Sequence, residues 1–175
     1  PSAAARLHNG HSLPRERCDY SVQPMRNQGE IIGYDSRLMK SSTSEFLTIR
    51  GLKTHVRLWG PTDAPKLFLL HGWMDCSASF QFLVDALAHD WRVVAPDWRG
   101  FGQSQWNDGP YWFPDYLADL ERLLDHYSPD EAARLVGHSM GGNIVGLYAG
   151  ARAQRVAKLV ILEGFGLHPT EPAEA

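Results

Sequence analysis

The chain has 175 residues, of which 43% are hydrophobic and 11% aromatic, enough for one globular domain with a core. Acidic and basic residues are interspersed and the formal net charge is -3, so nothing in the composition supports binding to nucleic acid or to an anionic membrane surface. No apolar run approaches the roughly 20 residues that span a bilayer, and the amino-terminal segment lacks the apolar core of a signal peptide. Cys18 and Cys76 show no metal-ligand spacing and are read as thiols of a reducing compartment, which predicts a cytoplasmic location.

Residues 1–44 differ in composition from the rest of the chain. They are rich in Ser, Arg, Asn, Gly and Pro and show no sustained hydrophobic period. Segments of this kind bury too little apolar surface to offset the entropy of ordering. The sequence therefore predicts a disordered tail over residues 1–44 and a folded domain over residues 45–175.

The folded region opens with a predicted β-hairpin. Residues 45–49 and 55–59 contain several apolar and β-branched side chains, and they flank a loop over residues 50–53 that contains Gly51. A short loop with a turn-forming glycine between two such segments is typical of an antiparallel pair of strands.

Beyond the hairpin, short apolar runs alternate with segments of helical period. The runs are continuous, as in strands buried on both faces, and they cover residues 67–70, 93–95, 135–136 and 159–162. The helical segments cover residues 80–88, 114–126 and 143–152, and Pro114 suits a first helical turn. This alternation predicts an α/β fold with a mostly parallel sheet and flanking helices.

Three motifs that contain candidate catalytic residues follow three of the apolar runs. They are the segments 71–75 (HGWMD), 97–104 (DWRGFGQS) and 137–141 (GHSMG). In parallel sheets, ligands bind beyond the carboxyl ends of the strands, where these motifs lie. The third motif places a serine between two glycines, after an apolar strand and before a helix, which is the pattern of a nucleophile elbow. Small flanking residues are needed because the backbone is strained there and the helix packs close to the strand.

In this order, the three motifs resemble the α/β-hydrolase fold family, in its serine hydrolase branch with an HG oxyanion loop and a GHSMGG elbow. The resemblance implies that Ser139 is the nucleophile and that the backbone N–H groups of Trp73 and Met140 form the oxyanion hole. It also implies chemistry without a metal or an organic cofactor. Dehalogenases and epoxide hydrolases of this fold carry aspartate at the elbow. The serine therefore indicates acyl transfer from an ester, thioester, amide or activated C–C bond.

Several large apolar side chains near the motifs are candidates for the wall of an acyl pocket, and core packing explains them equally well. They are Trp73, Met74, Trp98, Trp112 and Phe165.

The other polar residues of the motifs are expected to serve structure. The backbone of His71 shapes the oxyanion loop, and the side chain of His138 points away from Ser139, the next residue of the chain. Asp97 and Arg99 are expected to anchor the turn of their loop rather than to touch substrate.

The sequence after Ser139 offers few candidates for the acid and the base of a catalytic triad. The family's chain order is serine, acid, histidine. Glu163 follows the sixth strand, where some members of the fold carry the acid, whereas others use the seventh strand. His168 is the only histidine after Ser139, and it would have to fold back beside that serine to act as the base.

The resemblance covers the first six core strands of the family's fold and neither its last strands nor its cap. We therefore expect an α/β-hydrolase fold truncated after the sixth strand. That strand, over residues 157–162, is then a bare apolar edge, which predicts self-association through it. We expect little or no turnover from this chain, because Ser139 keeps its proton when no histidine removes it.

Two functional hypotheses from different classes follow. The leading one is a serine hydrolase that cleaves a small, uncharged ester or related acyl compound through a Ser139 acyl-enzyme. The alternative is a non-catalytic protein that uses the hydrolase scaffold for binding or association, since a fold does not determine a function. A third hypothesis is that a separate chain supplies the missing strands.

Overall fold

The computed structural model describes residues 39–164, in which strands and helices alternate as predicted. The strands are β1 (Ser42–Ile49), β2 (Leu52–Trp59), β3 (Lys66–Leu70), β4 (Arg92–Pro96), β5 (Ala133–His138) and β6 (Val156–Leu162). The helices are α1 (Gln81–Ala86), α2 (Phe113–Tyr127) and α3 (Met140–Ala151), with 3-10 turns at Ser77–Phe80 and Ala153–Arg155. The predicted α/β class is confirmed.

The six strands form one sheet in the order β1-β2-β4-β3-β5-β6. β2 pairs antiparallel with both β1 and β4. β3 pairs parallel with β4 and β5, and β5 pairs parallel with β6. The carboxyl ends of β4, β3 and β5 therefore meet at one edge of the sheet, and the three sequence motifs begin there.

The predicted hairpin is formed by β1 and β2 and closes with a two-residue turn. Arg50 and Gly51 both have positive φ angles, 48° and 82°. A type I′ turn requires positive φ at both central residues, and its twist matches that of the strands it joins.

The folded domain begins earlier than predicted. β1 starts at Ser42 rather than at Glu45. Before it, the backbone N–H of Lys40 donates to Asp85 Oδ1 at 2.7 Å, and its ammonium donates to two carbonyl oxygens near the end of α1, at 3.1 and 2.8 Å. The start of β1 is rich in hydroxyl side chains and lacks the apolar pattern of a strand, so the sequence did not predict it. An edge strand can have such a sequence because it needs apolar side chains on one face only. Residues 1–38 of the predicted tail lie outside the described residues.

The central strands are covered on both faces, as their continuous apolar runs predicted. Phe68 and Leu70 of β3 join the core layer that contains α2 and α3, whereas Leu69 joins the layer with the first 3-10 turn and α1. Successive residues of a strand point to opposite faces of the sheet. A strand that is buried on both faces therefore needs an unbroken run of apolar residues. The helices supply completely buried side chains to the first layer: Leu120, Leu123, Leu124 and Ile144.

Two helix boundaries bear on the site. α2 carries Pro114 in its first turn, as predicted. α3 begins at Met140, directly after Ser139, rather than at Asn143 as predicted. The early start runs through Gly141 and Gly142, which are poor helix formers but leave room for close packing.

None of the helices in the described part of the chain is long and apolar enough to cross a bilayer.

β6 ends the sheet on the side away from the hairpin. Its apolar residues from Leu159 to Leu162 are between 37% and 47% exposed. Among residues 39–164, β5 is the only strand that pairs with it. This is the bare apolar edge that was expected; self-association through it stays a prediction.

Candidate active site

Ser139 occupies a strained turn between β5 and α3. Its φ and ψ angles are 51° and −115°, a region that non-glycine residues rarely adopt. The Ser139 N–H donates to Leu162 O at 2.8 Å, which fixes the turn against the end of β6. Backbone strain of this kind persists only where the surrounding structure enforces it, and it concentrates at functional sites.

Glycines let three backbone segments approach one another at this turn. A Cβ on Gly137 would lie 2.6 Å from Gly141 C, and a Cβ on Gly141 would overlap Leu70 O. A Cβ on Gly72 would lie 3.2 Å from Ser139 Cβ. The loop after β3 is therefore in direct contact with the serine turn. This contact brings the segment that contains Trp73 alongside Ser139 and Met140.

His71 holds the loop after β3 from inside. Its Nε2 accepts the Trp98 N–H at 2.9 Å, so Nδ1 carries the ring proton and donates to Gly72 O at 2.8 Å. Burial lowers the pKa of His71, because the charged ring would be desolvated and would lose the bond from Trp98. With both nitrogens engaged, this neutral ring serves structure, as expected.

Asp97 joins three segments beneath the site. Its Oδ1 accepts the Ser77 N–H at 2.6 Å, and its Oδ2 accepts the Gln103 N–H at 2.8 Å and lies 2.7 Å from His55 Nδ1. Burial would raise the pKa of Asp97, but the hydrogen bonds from His55, Gln103 and Ser77 outweigh it and lower the pKa to about 2. The carboxylate therefore anchors the loop after β4 to β2 and to the turn before α1.

We expect the low pKa of Asp97 to make the folded chain lose stability in acid. A carboxyl with a folded-state pKa of about 2 and an ordinary value of 3.8 contributes stability above the ordinary value, which is lost as pH falls from about 4 to 2. The loss from this one group is about 2 kcal/mol. Denaturant titrations of the wild type and of Asp97→Asn between pH 5 and pH 2 measure it. The variant should show the shallower pH dependence; parallel curves would contradict the assignment.

Arg99 anchors the same loop to α2. Its Nε and Nη2 donate to Asp119 Oδ2 and Oδ1, at 2.5 and 2.6 Å. The side chains of Arg99 and Asp119 are 8% and 11% exposed, so the pair is largely removed from water. Arg50 reaches Asp119 at 3.4 Å from the hairpin turn, which extends the network. Arg99 is thus an anchor, as expected for this position.

The predicted pocket residues divide into exposed and buried ones. Trp73, Met74 and Trp112 are 61%, 81% and 67% exposed. Trp73 packs edge-to-face on Phe101 at 5.2 Å between ring centroids. These side chains remain candidates for contact with a ligand. Phe165 lies outside the described residues.

The prediction that Trp98 lines a pocket is wrong. Its side chain is 2% exposed and belongs to the core. The indole Nε1–H donates to His71 O at 3.1 Å, and the ring packs edge-to-face on Tyr116. The sequence could not separate the two roles, because a buried aromatic next to a loop serves equally as a core residue or a pocket wall.

Glu163 lies beside the serine turn. It follows β6 with a positive φ of 54°, and its side chain is 81% exposed. Its Oε2 lies 3.7 Å from His138 Nε2, and a Cβ on Gly72 would lie 3.2 Å from His138 Nδ1. His138 is therefore half-exposed at the mouth of the site rather than packed in the core. His168 lies outside the described residues.

Two residues of the site's supporting network were missed by sequence reasoning. His55 lies in β2, where Lys53, Thr54 and Arg57 are also polar, yet it is completely buried, and Asp119 looks like part of the polar face of α2. No local signal distinguishes His55 from the other polar residues of its strand. Their partners, Asp97 and Arg99, are distant in the chain, so only the tertiary structure pairs them.

Comparisons with known proteins identify the fold family of the chain. A family model described as alpha/beta hydrolase fold matches residues 65–175, more than half of the chain. A serine hydrolase-like protein of Danio rerio is 35% identical over 141 residues, which make up 79% of this chain and 43% of that protein.

Two solved structures resemble the chain. A thioesterase domain from the curacin biosynthetic pathway has a TM-score of 0.69 and 28% identity, covering 77% of this chain and 50% of that domain. A haloalkane dehalogenase loop variant from Bradyrhizobium elkanii has a TM-score of 0.64 and 29% identity, covering 70% of this chain and 40% of the dehalogenase. The chain spans half or less of each of these three proteins.

Proposed function

The chain belongs to the α/β-hydrolase fold family, and on that premise we propose that it is part of a serine hydrolase that transfers acyl groups through Ser139. The observation that carries this proposal is the strained turn at Ser139, with the Gly72 loop in contact with it. A nucleophile must project from such a turn for a substrate carbonyl to reach it. The dehalogenase resemblance concerns the fold, and this chain carries serine where dehalogenases of the fold carry aspartate.

In the proposed reaction, Ser139 Oγ attacks the carbonyl carbon of a small, uncharged ester or related acyl compound. The N–H groups of Trp73 and Met140 stabilise the oxyanion, and each such donor typically contributes about 3 to 4 kcal/mol to transition-state stability. Glu163 is the proposed acid. A histidine on the carboxyl side of the serine turn, His168 or a residue of a longer protein, is the proposed base. The exposed side chains of Trp73, Met74 and Trp112 are proposed to contact the acyl group.

A non-catalytic role is the second candidate, and one observation favours it. Among residues 39–164, no histidine forms a hydrogen bond with Ser139 Oγ. Both ring nitrogens of His71 are engaged, with Gly72 O and the Trp98 N–H, and His138 lies near Glu163. A scaffold with an intact serine turn and no base would bind ligands at this edge without turning them over.

Reaction with a fluorophosphonate probe decides between these candidates. In a protein that includes the base, we expect an adduct on Ser139, located by mass mapping in the tryptic peptide 135–152, and its loss in Ser139→Ala. Circular dichroism shows whether both proteins are folded. In a protein that includes the base, Ser139→Ala should lower kcat/KM for p-nitrophenyl esters by about 1000-fold or more. A folded protein that includes the base and never labels at Ser139 would support the non-catalytic candidate, and full esterase activity in the variant would exclude Ser139 as the nucleophile.

A further inference from the structure

A second serine lies at the end of a hydrogen-bonded chain of the kind that activates nucleophiles. Ser44 Oγ lies 2.8 Å from His55 Nε2, and His55 Nδ1 lies 2.7 Å from Asp97 Oδ2. Serine, histidine and carboxylate are thus connected in the order used for nucleophilic catalysis. We propose that Ser44 is a second reactive serine, whose Oγ is acylated by small activated esters. This proposal goes beyond the proposed function and does not depend on Ser139.

The protonation states follow from the hydrogen bonds. Asp97 accepts two backbone N–H groups, from Ser77 and Gln103, and these bonds favour the ionised carboxylate. His55 therefore places its ring proton on Nδ1, facing Asp97. Its Nε2 then carries the lone pair that accepts the Ser44 O–H. The histidine ring is completely buried, so its orientation is fixed.

Asp97 also compensates the charge that forms during reaction. When His55 takes the serine proton it becomes a buried cation, which is costly unless an anion contacts it. The Asp97 carboxylate provides that contact at 2.7 Å. The pKa of Asp97, lowered to about 2, keeps this negative charge at neutral pH.

Ser44 is an exposed residue of β1, which among residues 39–164 is the outermost strand on its side of the sheet, and its hydrogen bond to His55 is partly buried. Its cross-strand partner is Arg57, whose Nη1 donates to Ser42 Oγ at 3.0 Å. The guanidinium is held at Ser42, two residues from Ser44 on the same face of β1, so it adds positive charge to this strand surface. An open strand surface offers little binding energy, so the acyl donor must be small and already activated.

The proposed step transfers one acyl group. The Ser44 Oγ–C bond forms as the serine proton moves to His55 Nε2, and the ester C–O bond of p-nitrophenyl acetate breaks. His55 then passes the proton to the departing oxygen. The products are acetylated Ser44 and p-nitrophenol, with no change of oxidation state.

The experiment treats the full chain with p-nitrophenyl acetate and, separately, with a fluorophosphonate probe, followed by tryptic mass mapping. Cleavage after Lys40 and Arg50 isolates Ser44 in peptide 41–50, whereas Ser139 lies in peptide 135–152. The two serines are therefore read separately. Fragmentation of peptide 41–50 compares Ser44 with Ser41 and Ser42, which are internal controls for ordinary serine reactivity.

We expect an adduct on Ser44 that is lost in Ser44→Ala and persists in Ser139→Ala. Thr43→Ala is the matched control, because Thr43 lies next to Ser44 on the opposite face of β1, and its adduct yield should equal that of the wild type. His55→Gln should slow labelling of Ser44 at least tenfold, since general-base catalysis typically contributes about 100-fold or more.

Three results would overturn the proposal: no adduct on peptide 41–50, equal yields on Ser41 and Ser44, or labelling of Ser44 that is unchanged in folded His55→Gln. If His55→Gln does not fold, the ratio of the Ser44 and Ser41 adducts in the wild type decides alone. Labelling of Ser139 has no bearing on this outcome, so failure of either site is recognised independently.

Discussion

Replacing Gly141 by alanine is expected to destabilise the folded chain by about 3 kcal/mol or more, because the new methyl group has no space. A Cβ at this position would overlap Leu70 O and lie 2.7 Å from His71 O. Both are backbone atoms of the strand and loop that run beside the serine turn, so no side-chain rotation relieves the clash. The free energy of unfolding, from urea titration monitored by circular dichroism, measures the effect.

Gly150 supplies the matched control for Gly141. It lies in the same helix, α3, and a Cβ there would have no heavy atom within 4 Å. Alanine favours the helical conformation over glycine by about 0.5 to 1 kcal/mol, so Gly150→Ala should be neutral or slightly stabilising. Equal effects of the two substitutions would show that helix propensity, rather than contact with the loop after β3, determines the cost. Labelling of Ser139 in Gly141→Ala would report separately on the geometry of the serine turn.

Asp119→Ala is expected to cost about 3 kcal/mol, because the largely buried guanidinium of Arg99 loses both of its short hydrogen bonds and keeps the longer contact with Asp115 Oδ2 at 3.6 Å. The pair makes two direct hydrogen bonds, at 2.5 and 2.6 Å. It joins the loop after β4 to α2, so its loss should also loosen the loop. Thermal and urea unfolding measure the first effect, and amide hydrogen exchange across residues 97–104 measures the second.

Asp125 provides the comparison for Asp119, since it lies on the same helix and also makes ion pairs. It contacts Arg122 at 3.2 Å and Arg155 at 3.3 Å, but its side chain is 45% exposed. Exposed ion pairs contribute at most about 1 kcal/mol, so Asp125→Ala should have a small effect. The double replacement Arg99→Met/Asp119→Leu should recover much of the stability lost in Asp119→Ala, because no buried charge remains unpaired. A double variant no more stable than Asp119→Ala would argue against this explanation.

The sequence by itself determined the fold class, the order of the elements and the position of the serine turn. These features depend on local signals: unbroken apolar runs for strands buried on both faces, a 3.6-residue period for the helices, and glycines around Ser139. Each of these signals lies within a few residues of the feature that it predicts. The same reasoning was less accurate at Ser42, where a hydroxyl-rich segment forms an edge strand, and at Trp98, where local pattern does not separate core from pocket.

Only the tertiary structure decided which distant residues meet. It paired Asp97 with His55 across 42 positions of the chain and Arg99 with Asp119 across 20, and it connected Ser44 to the first of these pairs. Burial and hydrogen-bonded partnership depend on what packs against a residue, and no local pattern of the chain contains that information.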